Sequence, residues 1–356
     1  MPNQSAIQPA RPTIAAAGQT IPALSDGLLS MIIVENIEGL YRCEALVVNW
    51  GSVNRSLGYL YFDRKTLDLG QPFTVKYGQD TIFDGRIGAL EANFPRSTPP
   101  ELTVLAEDRL QDLRMTRRTR TFTDVADADV FSQVANEHGL SPAIDVTGPK
   151  YNVLAQVNQS DLAFLRERAR SIDAELWMDG KTLHVQSRSK RNAGTVRLTY
   201  GRELQELTVM ADLAHQRTSV IASGWDVRGK AALSYEATDD VIRGELNGDS
   251  SGASILSSTF GQRKEVLAHM VPLSSDETRA VAESFFKKSA RCFVVSRGVT
   301  DMNSSLRVGA YVELLNLGPL FSGKYYLTEV KYLFSNDTSG IRVEFTAERP
   351  GLGQAQ

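Results

Sequence analysis

The sequence predicts an α+β protein that is mainly β, with two β-barrel-like domains, an inserted small α/β domain and an additional helix-containing segment. Three observations support this fold class. Short segments of alternating apolar and polar residues, separated by turn residues, fill residues 24–115 and return at 195–222 and 291–350. Helical periodicity replaces the alternation at 116–194. A polar loop and a third helical pattern interrupt the second β region at 223–290.

The composition of the 356-residue chain is that of a soluble globular protein with room for two or three packed units. It excludes disordered, collagen-like and coiled-coil chains. Lys and Arg number 39 against 42 Asp and Glu, and the net charge of −3 argues against a dedicated nucleic-acid-binding protein, which is usually basic. Cys43 and Cys292 lie far apart and form no C-x-x-C motif, which favours a reducing compartment at synthesis.

No segment has the pattern of a signal peptide or a membrane helix. The N-terminus lacks a basic region followed by a long apolar run. The longest apolar stretch, residues 28–34, is far shorter than the roughly 20 residues of a membrane span. We therefore expect no membrane insertion, and a protein that is made and kept in the cytosol or in a particle assembled there.

The N-terminal part is predicted to be an arm followed by the first β domain. Residues 1–23 are rich in Pro, Ala, Gln and Thr with one charge, Arg11, which indicates a flexible N-terminal arm. The first domain is assigned to 24–115 because its strand patterns are short and bounded by turn residues. These strand patterns cover residues 32–37, 41–48, 73–77, 81–87 and 102–106.

Two helices and a hairpin are predicted in the α/β domain, residues 116–194. Asp127 can cap a first helix, which Gly139 and Leu140 end in a Schellman motif. The second helix starts at Ser160-Asp161 and places Leu162, Leu165, Ala169 and Ile172 on one apolar stripe. The segments 174–178 and 182–185, joined by Asp179-Gly180, have the pattern of a β-hairpin.

The second β domain is predicted to be split by an insertion. It comprises 195–222 and 291–350, with strand patterns such as Tyr325–Val330. Within the insertion, 223–290, residues 244–254 form a polar loop and Ser274 with Glu277 makes a capping box for a third helix. Residues 351–356 form a short tail.

The sequence contains no recognisable catalytic or metal-binding constellation, so we expect no cofactor, no metal and no enzymatic activity. Phosphate-binding glycine loops and nucleophile elbows are missing. Pairs of carboxylates occur, but 42 acidic residues produce such pairs by chance. The four histidines have no metal-ligand spacing. They are His138, His184, His215 and His269.

Basic and aromatic residues offer two weaker signals. The runs at 114–120 and 188–191 could contact phosphates, although solvated loops are the expected interpretation. The three tryptophans, Trp50, Trp177 and Trp225, are isolated in the sequence and predict no aromatic platform.

Four segments, in the same order along the chain, resemble a known family. Residues 151–169 are similar to the stretch Y-x-V-Q-x-x-x-S-D-x-x-F-L-x-x-L-A of the phage late control gene D family and of VgrG hubs in type VI secretion. Residues 174–183 follow the family's next motif, with Asp173-Ala174 replacing its usual glycine turn. Upstream, residues 105–140 resemble the strand and following helix of the same family. Downstream, residues 306–327 resemble its closing segment. The matching motif positions are Tyr151, Asp161, Phe164, Leu165, Gly309, Phe321, Gly323 and Tyr325.

The resemblance implies a baseplate central hub, a structural protein of contractile phage tails, tailocins and injection systems. Such a hub is a homotrimer whose two β-barrel-like domains per subunit adapt a six-fold inner tube to a three-fold spike. VgrG chains continue into a needle, whereas this sequence stops near Pro350, so a separate spike or needle protein is expected. The other expected partners are the inner tube protein and further baseplate proteins, with no specific nucleic acid.

The resemblance also implies synthesis in the bacterial cytoplasm and incorporation into a particle. Two alternatives remain open from the sequence. One is a tail-associated cell-wall hydrolase, and the other is a soluble carbohydrate- or nucleic-acid-binding module.

Overall fold

The computed structural model of the chain describes residues 11–268, 271–336 and 340–353. It confirms the α+β, mainly β class. His269, residues 1–10 of the predicted arm and residues 354–356 of the predicted tail lie outside the described residues. Within the described ranges, no helix is both long enough and apolar enough to cross a membrane.

The elements follow the chain in four groups. The first β region contains β1 Thr13–Ala16, β2 Gln19–Thr20, α1 Pro22–Asp26, β3 Leu28–Asn36, β4 Arg42–Val48, β5 Gly51–Val53, β6 Ser56–Gly58, β7 Pro72–Tyr77, β8 Asp80–Asn93 and β9 Glu101–Glu107. The α/β unit contains α2 Gln111–Arg114, β10 Arg117–Ala126, α3 Asp127–Glu137, β11 Ser141–Asp145, β12 Lys150–Ser160, α4 Asp161–Ser171, β13 Ala174–Asp179 and β14 Thr182–Ser187.

The second β region and the insertion make up the remainder. The strands before and inside the insertion are β15 Thr195–Thr199, β16 Leu204–Ala211, β17 Ser219–Asp226, β18 Ala231–Ala237, β19 Ser250–Ser251 and β20 Lys264–Leu267. The helices of the insertion are a 3₁₀ helix Asp239–Glu245, α5 Gly252–Phe260 and α6 Ser275–Arg291. The closing elements are β21 Val294–Asp301, β22 Tyr311–Leu315, α7 Gly318–Phe321, β23 Gly323–Ser335, β24 Ile341–Arg349 and β25 Gly351–Leu352.

Strands from both β regions form one large sheet. Its hydrogen-bonded order is β16-β21-β24-β23-β3-β4-β9-β8-β7-β1-β2, with β22 pairing β23 and β15 pairing β22. The two regions meet where β23 lies antiparallel to β3, with Val330 opposite Glu35 and Phe334 opposite Met31. Alternate residues such as Cys43, Ala45 and Val47 of β4 point into one buried core, as period-two patterning requires.

The predicted flexible arm is wrong for the described residues 11–23. Strand β1 pairs antiparallel with β7, and Ile14 lies opposite Val75. The side chains of Ile14 and Ala16 are buried in the core of the large sheet. Burial of these two alternating apolar side chains explains why a Pro- and Ala-rich segment forms an ordered strand.

The α/β unit has its own core between α3, α4 and its strands. The end of α3 follows the prediction, because the amides of Gly139 and Leu140 donate to the carbonyls of Asn136 and Ala135 in a Schellman motif. Asp127, however, is not the cap: Ala126 occupies that position and the Asp129 carboxylate accepts from its amide.

The second helix and the hairpin agree with the sequence prediction. Ser160 caps α4, since its hydroxyl accepts from the amide of Ala163 at 3.2 Å. Leu162, Leu165 and Ala169 are buried beneath this helix. Strands β13 and β14 pair antiparallel as the predicted hairpin.

The insertion forms a third core in which α6 packs on a sheet of β18, β17 and β20. Ser274 caps α6 by accepting from the amide of Glu277, as predicted, while the Glu277 carboxylate accepts from Leu273. The predicted polar loop 244–254 is wrong at its end, since α5 begins at Gly252. Its start is stabilised because the Ser251 hydroxyl accepts from the amide of Ser254.

Candidate functional site: charged clusters that join the three cores

The motif residues of the α/β unit lie around two buried ion-pair clusters. Asp161, only 1% exposed, forms the first cluster at the start of α4. Its carboxylate accepts from Arg120 Nη2 at 3.0 Å and from Gln156 Nε2 at 2.9 Å. His138 Nε2 lies 2.8 Å from Oδ2, and Arg118 Nε lies 3.3 Å from the same atom.

The environment of Asp161 keeps it ionised. Burial opposes ionisation of the carboxyl group, but the hydrogen bonds from His138 and Gln156 and the charges of Arg120 and Arg118 outweigh it. The pKa of Asp161 therefore lies below its usual value. The motif aspartate holds the end of α3, the start of α4 and strand β10 together.

Tyr151 belongs to the second cluster. Arg168 donates to Asp127 Oδ1 at 2.7 Å and to the Tyr151 hydroxyl at 2.5 Å, and its guanidinium lies 4.6 Å from the Tyr151 ring centre. The Tyr151 hydroxyl donates to Asp127 at 3.2 Å. Asp127 therefore binds α4 rather than capping α3. Nearby, Phe164 stacks on Phe122 with ring centres 5.8 Å apart.

Arg191 joins the α/β unit to the large sheet. It is 4% exposed and donates to Glu175 at 2.8 Å, to the Tyr41 hydroxyl at 3.1 Å and to the Val308 carbonyl at 2.9 Å. Its guanidinium lies 4.0 Å from the ring centre of Trp177. Its partners thus come from the α/β hairpin and from both β regions.

Gly309, a motif position, is required by this contact. Its φ of +91° is unfavourable for other residues, and a Cβ there would lie 2.2 Å from Arg191 Nε.

The second link between the α/β unit and the large sheet is Arg166, which donates to the carbonyls of Glu38 at 2.6 Å and Gly39 at 3.0 Å.

The expectation that 188–191 is a solvated basic loop is wrong for Arg188 and Arg191, which are buried, whereas Lys190 is exposed. Arg188 is 8% exposed, and its Nη2 lies 2.5 Å from Glu348. Its guanidinium stacks 4.3 Å from the Tyr326 ring centre, and the Tyr326 hydroxyl donates to Glu175 at 2.6 Å. Glu175 of the preceding hairpin and Glu348 near the C-terminal end supply the compensating charges. Because neither carboxylate lies within the basic run itself, the run alone did not reveal this burial.

The remaining motif residues surround Arg349 at the start of β23. Gly323 has a φ of +142°, and a Cβ there would lie 2.6 Å from Arg349 Nη1. Tyr325 donates to the Phe321 carbonyl at 2.8 Å, and Arg349 lies 4.7 Å from the Tyr325 ring centre. Arg349 also donates to the Ser322 carbonyl at 3.1 Å. The eight motif residues thus lie in separate structural clusters and do not form one active site.

The prediction that the tryptophans form no aromatic platform is wrong for Trp50. Trp50 contacts Tyr59 with ring centres 5.2 Å apart, and Tyr59 stacks on Phe62 at 4.9 Å. Phe94 lies 6.1 Å from Tyr59 in the same exposed cluster. The short β5–β6 hairpin and the β8–β9 loop bring these residues together, which the sequence spacing did not indicate.

The clusters contain structural ion pairs and no assembled metal site. Among the residues that the structure describes, no three His, Cys, Asp or Glu side chains lie together as a metal-binding group. His138 contacts Asp161, while His184 stacks on Trp177 with ring centres 5.0 Å apart. Arg291 of α6 adds the insertion, since its Nη2 donates to Asp173 at 2.9 Å. The arrangement is suited to holding three cores in a fixed relation.

Residues 12–336 match the family described as the Alg8 N-terminal domain. The chain belongs to this family. The description of the family names no tail protein and no secretion component. No curated protein matches the sequence of this chain.

Solved structures share the fold of this family member over nearly its whole length. The 43 kDa tail protein of prophage MuSo2 from Shewanella oneidensis has a TM-score of 0.71 at 12% identity, with 96% of this chain and 98% of that chain covered. The tail protein from Neisseria meningitidis MC58 has a TM-score of 0.66 at 12% identity, with 96% and 97% covered.

A third structure comes from a secretion machine. The Escherichia coli c3393 protein is described as a component of the type VI secretion system with structural similarity to tail proteins of bacteriophage T4. It has a TM-score of 0.60 at 13% identity and covers 96% of this chain and 79% of that one. The fold is therefore that of phage tail proteins, as expected. Membership of the late control gene D family stays a prediction.

Proposed function

We propose that this chain is the structural baseplate hub of a contractile tail or injection machine, where three copies form a ring between the inner tube and the spike. The observation that carries the proposal is the fold shared with a phage tail protein over 96% of the chain. The likeness to a type VI secretion component covers the same share of the chain. The motif order of the late control gene D and VgrG families supports the hub role within these machines.

The solvent side of the large sheet fits a water-filled passage. Oppositely charged residues face each other across its strands, with Arg42 opposite Glu107 and Lys331 opposite Glu344. Such cross-strand pairs give a hydrated wall of mixed charge that does not retain cargo of one sign. In the hub, this side would line the lumen.

In this role the chain transmits force and performs no catalysis. Its partners would be two further copies, the inner tube protein, a separate spike or needle protein and other baseplate proteins, without specific nucleic acid and without membrane insertion. Rigid β surfaces meeting in rotationally closed contacts are sufficient for such a ring.

Two measurements test the proposal. Light scattering of the purified protein should give three times the mass of one chain, and electron microscopy of intact particles should place the protein on the central axis. A position off that axis would contradict the hub role. Clearance of peptidoglycan by the purified protein, lost on substitution of one carboxylate, would instead favour the hydrolase.

A further inference from the structure

A cavity of about 400 Å³ lies where the three cores meet. Its wall includes Arg188 after the α/β hairpin, Glu245 at the end of the 3₁₀ helix, Arg291 of α6, Tyr326 of β23 and Glu348 of β24. This volume falls within the range of about 300–1,000 Å³ that small-molecule sites occupy. A ligand there would contact all three parts of the protein at once.

The carboxylates of the wall are already engaged by arginine. Both oxygens of Glu245 accept from Arg291, at 2.6 and 2.8 Å. Arg188 Nη2 lies 2.5 Å from Glu348. These carboxylates are therefore poor partners for a cationic ligand. The five cationic residues that line the cavity are Arg188, Lys287, Arg291, Lys324 and Arg349.

Three donors at the cavity lack a close acceptor among the described residues. Lys324 has only the ring of Tyr311, 3.9 Å from Nζ. Lys287 has two carboxylates at 3.8 and 4.0 Å, beyond hydrogen-bond distance. Arg349 is buried, and its Nε makes no hydrogen bond. Lys324 is exposed and Lys287 is partly exposed, so both can accept a ligand from solvent. Arg349 is the buried member of the three, and a buried donor without an acceptor is costly and calls for a partner.

We propose that this cavity binds a small oxyanion with two or more negative charges. Asp173 and Asp249 behind the wall pair with Arg291 and Arg349. The wall itself nevertheless presents five cationic residues against Glu245 and Glu348. A multiply charged oxyanion accepts from both lysines and from an arginine at once. The rings of Tyr311 and Tyr326, with centres 5.3 Å apart, form an apolar side of the cavity.

Isothermal titration with pyrophosphate, citrate and acetate tests this proposal, and it does so independently of the hub role. We expect one site per chain for pyrophosphate or citrate, with weaker binding of the monoanion acetate. Tighter binding of pyrophosphate assigns a phosphate ligand, and tighter binding of citrate assigns a polycarboxylate. Because the ligand bridges three cores, it should also raise the melting temperature.

A matched pair of variants locates the site. Lys324→Gln should weaken binding about tenfold through loss of a charge-assisted contact. Lys331→Gln on the same strand removes a lysine that pairs with Glu329 and does not line the cavity, so binding should stay unchanged. Absence of saturable binding, or an equal effect of the two variants, would overturn the proposal.

Discussion

Asp108 is a buried carboxyl group at the point where the chain leaves β9 for the α/β unit. It is 3% exposed and accepts from the amides of Tyr41 at 2.8 Å and Leu110 at 2.9 Å. Burial raises the pKa of Asp108 to about 7, against the lowering effect of the two amides. In the unfolded chain its pKa returns to about 3.9.

This pKa difference predicts a pH dependence of stability. Between about pH 4 and pH 7 the folded state holds a proton that the unfolded state has lost, so this group makes the free energy of unfolding fall as the pH rises. The contribution of Asp108 to the free energy of unfolding is fully present below the pKa of the unfolded state. It is lost as the pH rises through the pKa of the folded state. Asp108→Asn should remove this part of the slope, measured by urea unfolding across the range. An unchanged slope would show that Asp108 does not titrate there.

Gly309 carries a steric requirement that its motif position alone could not explain. Gly309→Ala places a Cβ against Arg191 and keeps an unfavourable φ, and should cost about 2–4 kcal/mol of unfolding free energy. The control is Gly78→Ala. Gly78 has a φ of +61° and no atom near a new Cβ, so only backbone strain of about 1–2 kcal/mol is expected. Equal losses in urea unfolding would contradict the steric contact.

At the scale of elements, helix α4 is predicted correctly because its signals are local. The start at Ser160-Asp161 and the apolar stripe that ends at Ile172 lie within one short segment. The sequence does not predict helix α5, since three of its nine residues are Ser and its stability comes from burial of Ala253 and Leu256. Strand β1 is not predicted either, because its pairing partner β7 is distant in sequence.

The packing of α4 gives a prediction at this scale. Leu165 is fully buried in the α/β core, so Leu165→Ala should cost about 2–5 kcal/mol through lost transfer energy and a residual cavity. Ala163 lies on the exposed side of the same helix. Ala163→Gly should cost only about 1 kcal/mol of helix propensity. A melting temperature unchanged by Leu165→Ala would show that the helix buries another side.

For the whole molecule, the sequence predicted the fold class but not the assembly of its parts. The pairing of β3 with β23 joins residues about three hundred positions apart, and no local pattern encodes its register. Two partners of Arg191, Tyr41 and Val308, likewise lie 150 and 117 positions away in the sequence. Burial of a charged run could not be read from its composition, because the compensating carboxylates lie elsewhere in the chain.

Arg191 provides the prediction for the joint between the cores. Arg191→Met leaves Glu175 buried without its closest cation, so the free energy of unfolding should fall by about 3–5 kcal/mol. The matched control is Arg197→Met, which breaks the exposed pair of Arg197 with Glu313 and should cost about 0–1 kcal/mol. Similar urea midpoints for the two variants would refute the role of Arg191.

Strand β23 runs through the centre of the large sheet with β3 on one side and β24 on the other. If the two β regions were expressed as separate chains, β23 would stay with the second region. The first region would then expose β3 as an unpaired edge strand. A load along the strand direction would meet several backbone bonds in parallel, which must yield together. The shared strand thus makes the two β regions a single mechanical element.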